Sequence, residues 1–270
     1  MANDTLAPQR VRHTLKLRLL TVKRVQALSP QLVRVTFTGD DLADFISASF
    51  DDHLKVFLPR PGETVPKLPE LGPNGPLWVE GEARPIARDY TPRRFDAAAN
   101  ELDIEFVLHG EGPATRWAAQ VQVGQQLGIG GPRGSFVIPL AYDWHLLVGD
   151  ESALPAIARR LEEMPPDAVV QVVLQVADQS ARIPLVALPS AQVQWLYRSD
   201  AADSAAQLAS AVQQLTLPSG AGYAWAAGEL TAIQAVRKVL VEHHGIDKRH
   251  IRAASYWRHG AAATHETLDD

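Results

Sequence analysis

The chain has no cysteine in its 270 residues. That excludes structural disulfides, Cys-ligated zinc, a thiol nucleophile and any iron–sulfur cluster held by Cys, so redox chemistry here requires a bound organic group. Positive charge is also short. Against 31 Asp+Glu there are 26 Lys+Arg, a net charge of −5, which argues against a general nucleic-acid binder. Long hydrophobic runs are missing too: nothing approaches the ~20 apolar residues that span a bilayer. Within Met1 to Leu20, Arg10, Arg12, Lys16 and Arg18 interrupt the apolar residues, so no continuous signal-peptide core forms. The expectation is a cytoplasmic protein with no membrane span and no nucleic-acid partner.

What is present divides in two. The length suits two modest domains, each with its own core, and the patterning changes near residue 140. Before it, short β-branched and aromatic runs alternate with Gly, Pro and Asp turns: Leu32–Thr38, His53–Leu58 and Leu102–Val107. Period-2 patterning with such punctuation predicts an antiparallel barrel or sandwich. The stretch from Pro59 to Pro85, with seven prolines and four glycines, reads as one long surface excursion. After residue 140 strands and helices alternate: Leu146–Gly149, a helix through about Met164, Val169–Leu174, Val193–Tyr197, a helix over Ala201–Leu215, Tyr223–Ala227, a helix over Leu230–His243, and Ile251–Trp257. This predicts a parallel sheet with ligands beyond the carboxyl ends of its strands. The expected division is 11–140, 141–260 and a mobile tail over 261–270.

The first chemical motif is Arg88-Asp89-Tyr90-Thr91-Pro92-Arg93. Alternate strand positions share a face, so Arg88 and Tyr90 can meet one ligand together, and Thr91 can join them if the chain bends at Pro92. A flavin dinucleotide suits the set: Arg88 for pyrophosphate, the Tyr90 ring and Thr91 for the isoalloxazine. A surface strand with a charged edge and a core Tyr fits it equally well. The second motif runs from Phe106 to Ala118 through Val107, Leu108, His109, Gly110, Gly112, Pro113, Ala114 and Thr115. It passes from strand to Gly-rich turn to helix, and a helix N-terminus presented this way is a phosphate site. His109 either hydrogen-bonds a ligand or caps the turn.

Six motifs then occur in order. They are Arg-x-Tyr-Thr-x-Arg, His-Gly-x-Gly-Pro-Ala with its Trp-Ala, Gly-Pro-Arg-Gly-Ser at 131–135, Gly149 to Ile157, Ala-Gly-Glu at 227–229, and Tyr-Trp-Arg-x-Gly at 256–260. From about Val11 to Gly260 the chain resembles the siderophore-interacting proteins, FAD-dependent ferric-siderophore reductases related to ferredoxin reductases. The resemblance implies a six-stranded-type antiparallel FAD-binding β-barrel followed by an α/β, parallel-sheet NAD(P)-binding-like domain. It implies reduction of siderophore-held Fe(III) through FAD, with NAD(P)H or a reduced ferredoxin as donor. FAD contacts are expected at Arg88, Tyr90, Thr91, Val107, Leu108, His109, Gly112, Pro113, Ala114 and Thr115.

An anionic iron chelate requires a local basic pocket inside an acidic protein, and Lys55, Arg133 and Arg258 are the candidates. For the nicotinamide side the candidates are Gly149, Asp150, Glu151, Ser152, Arg198, Gly228 and Glu229. Gly149 and Ser152 suit a turn and helix N-cap, whereas Asp150 and Glu151 would repel a pyrophosphate unless they point elsewhere. Arg198 offers a grip for an NADP 2′-phosphate, and Glu229 either faces ligand or serves as a helix N-terminal charge. Asp40-Asp41 and Asp51-Asp52 read as turn residues. His243, His244 and His250 lack ligand spacing, and no metal site is expected. The competing readings are a flavin reductase or electron-transfer component for another acceptor, and a siderophore- or flavin-binding protein without turnover.

Overall fold

A computed structural model describes residues 6–73, 75–81, 83–110, 112–260 and 266–268. The chain forms two compact units, one over Pro8–Ile138 and one from Pro139 onward that also takes in Leu6 and Ala7.

The first unit contains β1 (Gln9–Arg12), β2 (Leu17–Ser29), β3 (Leu32–Thr38), β4 (Leu54–Leu58), β5 (Glu70–Gly72), β6 (Gly75–Leu77), β7 (Ile86–Tyr90), β8 (Pro92–Asp96), β9 (Glu101–Val107), α1 (Pro113–Gln120), β10 (Gln126–Gly130) and β11 (Gly134–Val137). Seven strands pair antiparallel in the order β7-β4-β10-β2-β3-β9-β8. The two edge strands, β7 and β8, are separated in sequence by Thr91 alone. The chain therefore passes from one edge of the sheet to the other within a residue, which the sheet permits only by curling until its edges adjoin. Counted as one pass, β7 and β8 make the seven strands six passes.

Alternation builds the core. Leu102, Ile104 and Phe106 of β9 are fully buried with Leu20, Val35, Phe37, Leu54, Val56 and Ile129, each large side chain adding about 2 kcal/mol on burial. The intervening Glu101, Asp103 and Glu105 are buried on the opposite face. Arg94 covers them, bonding Asp103, Asp96 and Glu101 at 2.9 Å each, while Arg34 and Arg93 pair with Glu105. The Pro-rich stretch is more than a surface excursion: it contains the β5–β6 hairpin and packs back on the sheet. A Cβ on Gly128 of β10 would lie 2.3 Å from the Leu68 side chain, so glycine there makes the seat for the excursion.

The second unit contains β12 (Trp144–Asp150), α2 (Leu154–Glu163), β13 (Val170–Val176), β14 (Ala191–Tyr197), α3 (Ser204–Gln213), β15 (Gly222–Glu229), α4 (Leu230–Glu242), β16 (Ile251–Trp257) and β17 (Glu266–Thr267). The sheet order is β14-β13-β12-β15-β16-β17. All pairings are parallel except β16 with β17. Leu146 and Val148 of β12 share a core with α3 and α4. Gly149, of opposite parity, meets α2: a Cβ there would lie 2.5 Å from the Ala153 Cβ. Between β13 and β14 there is no α-helix, only a 3-10 turn over Gln179–Ala181 capped by Asp178. Of the tail expected to be mobile, 261–265 and 269–270 lie outside the described residues; Glu266 and Thr267 pair with Ser255 and Ala254, and Leu268 packs on the core. No helix among the described residues is long and apolar enough to cross a membrane.

Candidate active site

Register decides which residues of the first motif act together. On β7, Arg88 lies opposite Val56 and Tyr90 opposite Leu54 of β4, both core residues. Directly paired antiparallel residues project to the same side, so Arg88 and Tyr90 belong to the inner face. Asp89 lies opposite Lys55 and belongs to the outer face. Arg88 donates from Nη1 to the Ala87 carbonyl at 2.7 Å. The Tyr90 ring sits 4.5 Å from Phe106, and burial pushes its phenol well above the ordinary tyrosine range, so it presents a neutral ring. Thr91 is buried at the joint between β7 and β8. Arg93, the last residue of the motif, is buried against Glu105.

Phe106 also joins the second motif to the first. Its ring lies 5.4 Å from Trp117 of α1, so Tyr90 and α1 flank one aromatic side chain at the end of β9. Val107 ends that strand, and Leu108 packs on the core and donates its N–H to the Gln31 carbonyl at 2.8 Å. His109 is exposed, and its carbonyl accepts the Thr115 hydroxyl at 3.0 Å. Gly112 is the N-cap of α1, with Pro113 at the first position and no side-chain cap. The first intrahelical bond is Arg116 N–H to the Gly112 carbonyl at 2.9 Å, so the N–H groups of Ala114 and Thr115 precede it. Gly110 has φ +60, and a Cβ there would meet no atom within 4 Å.

On the outer face, a cavity of about 400 Å³ is lined by His53, Lys55, Phe57, Trp78, Gly130 and Arg133 among others. Lys55 Nζ pairs with Asp89 at 2.7 Å, and Arg133 is exposed. Trp78, from the Pro-rich excursion, lies 6.3 Å from Phe57 and carries Arg84 over its ring at 5.5 Å. Glycine at 130 keeps the floor low: a Cβ there would lie 2.9 Å from Leu17 Cδ2. Lys55 and Arg133 thus share one cavity; Arg258 follows β16 in the second unit and is exposed. Sequence reasoning passed over Asp89, Trp78 and His53. The signal for Asp89 was its parity, opposite to that of Arg88 and Tyr90.

At the carboxyl edge of the parallel sheet, the expected nicotinamide-side residues bond mainly to one another. Asp150 accepts Ser152 N–H at 2.8 Å, Ser152 Oγ–H at 2.5 Å, Glu229 N–H at 2.9 Å and Trp257 Nε1–H at 2.8 Å. It ties together the ends of β12, β15 and β16. Gly228 is required there, since at φ +152 a Cβ would stand 2.6 Å from Asp150 Oδ2. Glu151 accepts the Ala177 N–H at 2.6 Å and pairs with Arg198. Ser152 is not the N-cap: Ala153 holds that position, without a side-chain cap. Glu229 caps α4, accepting Thr231 and Ala232 N–H at 2.6 and 3.1 Å. No cluster of metal-ligating side chains occurs among the described residues.

Residues 21–136 match the model of the siderophore-interacting FAD-binding domain, and residues 142–260 match that of the siderophore-interacting protein. The chain belongs to the siderophore-interacting protein family. One relative is the ferric vibriobactin reductase of Vibrio cholerae, 39% identical over 246 residues and 90% of each chain. Another is the NADPH-dependent ferric-chelate reductase of Escherichia coli, 38% identical over 95% of this chain and 99% of the relative. A siderophore utilization protein from T. fusca, 40% identical, superposes with a TM-score of 0.88 over 95% of this chain and 98% of that one. A ferredoxin reductase of carbazole 1,9a-dioxygenase, 18% identical with a TM-score of 0.62, shares the fold.

The residues of the first unit fit a flavin dinucleotide. Arg88, the half-buried Tyr90 ring and the Ala114 and Thr115 N–H groups at the start of α1 provide a cation, an aromatic face and backbone N–H donors. The family's FAD has its place in this unit.

Proposed function

We propose that this siderophore-interacting protein reduces siderophore-held Fe(III) to Fe(II) in the cytoplasm, with NADPH as electron donor. The observation that carries the reading is the arrangement on β4 and β7: Lys55 and Arg133 line a cavity on the outer face, while Arg88 and Tyr90 stand on the inner face of the same strand pair. The names of the two curated relatives, ferric vibriobactin reductase and NADPH-dependent ferric-chelate reductase, support it.

Hard anionic oxygen ligands hold Fe(III) far more tightly than Fe(II), so one electron is the release trigger. Bound FAD supplies that chemistry by accepting a hydride and passing electrons singly. The chain's own residues do the rest. Arg88 and the N–H groups of Ala114 and Thr115 hold the pyrophosphate, and Thr91 and the neutral Tyr90 ring border the isoalloxazine. Val107, Leu108 and His109 position the approach to α1. Arg133 and Lys55 draw an anionic chelate into the cavity, Lys55 exchanging Asp89 for the incoming anion, and Phe57 and Trp78 exclude water around it. The carboxyl edge, through the backbone near Gly149 and Gly228, receives the donor.

An anaerobic assay with a ferrous trap tests this, using purified flavin-loaded protein with NADPH, NADH or reduced ferredoxin in turn. Fe(II) formed with NADPH supports the reading. Turnover with reduced ferredoxin alone would move the donor to that partner. Chelate binding without Fe(II) from any donor would leave a binding protein and refute the reductase.

A further inference from the structure

We infer that Arg182, with Tyr197, forms the seat for a phosphate monoester on the adenosine end of the donor. On this assignment Arg182, and not Arg198, sets a preference for NADPH over NADH. The inference rests on the reductase reading only for the donor's identity; the site itself is read from the carboxyl edge of the parallel sheet.

Arg198 is the cation that sequence position suggests, but it is already engaged. Its guanidinium pairs with Glu151, and the same carboxylate oxygen accepts the Ala177 N–H at 2.6 Å. Ser199 N–H to the Ala177 carbonyl at 3.0 Å closes the link between the ends of β13 and β14. A dianion approaching Arg198 would have to compete with a carboxylate already in contact and only 10% exposed.

Arg182 is placed differently. It leaves the turn after β13, where Asp178 holds Ser180 through its N–H at 2.7 Å and its hydroxyl at 2.5 Å. Its guanidinium lies over Trp195, 5.2 Å from the ring centroid, and Nη1 donates to the Tyr197 hydroxyl at 3.4 Å. Trp195 and Tyr197 are alternate residues of β14 and share a face, and Tyr197 pairs with Val176 at the carboxyl end of β13. Ligands of open α/β sheets bind beyond that edge, and an Arg there accommodates the 2′-phosphate of NADP.

The Trp195 face orients the guanidinium plane. Arg182 itself is exposed, so its fork of N–H groups and the Tyr197 O–H can converge on one phosphate. The other acids nearby are engaged locally: Asp178 caps the turn and Asp200 accepts the Ser199 hydroxyl at 3.0 Å. Sequence reading missed Arg182 because it sits sixteen residues before Arg198 in a loop without a motif.

The test is calorimetric binding of 2′,5′-ADP and of 5′-ADP to the flavin-loaded protein, in wild type, Arg182→Ala, Arg182→Lys and Arg198→Ala. Wild type should bind 2′,5′-ADP about tenfold more tightly, the weight of a charge-assisted hydrogen bond. Arg182→Ala should bring the ratio close to one with 5′-ADP affinity unchanged. Arg182→Lys should keep part of it, since charge survives without the planar fork, and Arg198→Ala should keep most. An unchanged ratio in Arg182→Ala, or a wild type that does not distinguish the two nucleotides, overturns the assignment. Iron release driven by dithionite in place of a nucleotide checks the reductase reading separately, so either can fail without the other.

Discussion

The two units place their candidate polar residues differently. In Pro8–Ile138 Lys55 and Arg133 line a cavity, Lys55 in contact with Asp89, while Arg93 is buried against Glu105. In the unit from Pro139 onward, Asp150, Glu151, Ser152 and Glu229 are consumed by hydrogen bonds to their own backbone and neighbours. The same residue types that would signal a ligand site hold strand ends together in the second unit. A polar residue at the ligand edge of a sheet is therefore evidence of a site only once its bonds are accounted for.

Asp150→Ala should give the largest effect and sharpen the contrast. It strands the N–H of Glu229 and the indole N–H of Trp257 and severs the tie across β12, β15 and β16. The expected loss is about 4 kcal/mol in the denaturant unfolding of the second unit, from several buried donors left unpaired. A loss below about 1 kcal/mol would show that Asp150 is available to ligand after all.

His145 gives the next. It is 3% exposed in β12, and burial, aided by the Arg160 charge, lowers its pKa from 6.5 to about 4. The folded state thus holds the neutral imidazole, while the unfolded chain takes up a proton near pH 6.5. Stability is complete above that value and falls as pH drops toward about 4, by about 3 kcal/mol at the extreme. His145→Gln should lose less between pH 7 and 4.5 in urea unfolding; parallel curves for the two proteins would contradict this.

Arg88→Ala belongs to the other side of the comparison. It should leave stability within about 0.5 kcal/mol, since it bonds the adjacent Ala87 carbonyl, yet weaken flavin retention about tenfold, the weight of a charge-assisted contact. The ratio of flavin to protein absorbance after purification reads it, and a normal flavin content would mean that Arg88 is not at the pyrophosphate. Arg198→Ala, removing a third-exposed partner of Glu151, should cost the second unit under about 1 kcal/mol by thermal unfolding. A larger loss would make that pair a structural tie comparable to Asp150.

Much of this could be read from the sequence, and the failures have physical causes. Period-2 patterning in the first part and helix-strand alternation in the second pointed to an antiparallel and a parallel sheet because local hydrophobic spacing carries that information. The bend at Thr91 was visible because Pro92 interrupts the alternation. Where Asp150 points was not legible because its partners, Glu229 and Trp257, are 79 and 107 residues away. No local pattern records such a bond. Ser152 looked like an N-cap by type, but its hydroxyl bonds Asp150 and the helix starts one residue later. Lys55 was found as a cation, whereas its pairing with Asp89 required the register of β4 on β7.

The most direct test of the central claim is the reaction of dithionite-reduced, flavin-loaded protein with a ferric siderophore, followed with a ferrous trap in wild type and in Lys55→Ala/Arg133→Ala. Single-turnover Fe(II) formation by the wild type should saturate with chelate and, in the double variant, the half-saturating chelate concentration should rise about tenfold with a weaker dependence on salt at unchanged flavin content. Fe(II) formation with the same half-saturating concentration in both proteins, or none in either, would contradict the reading.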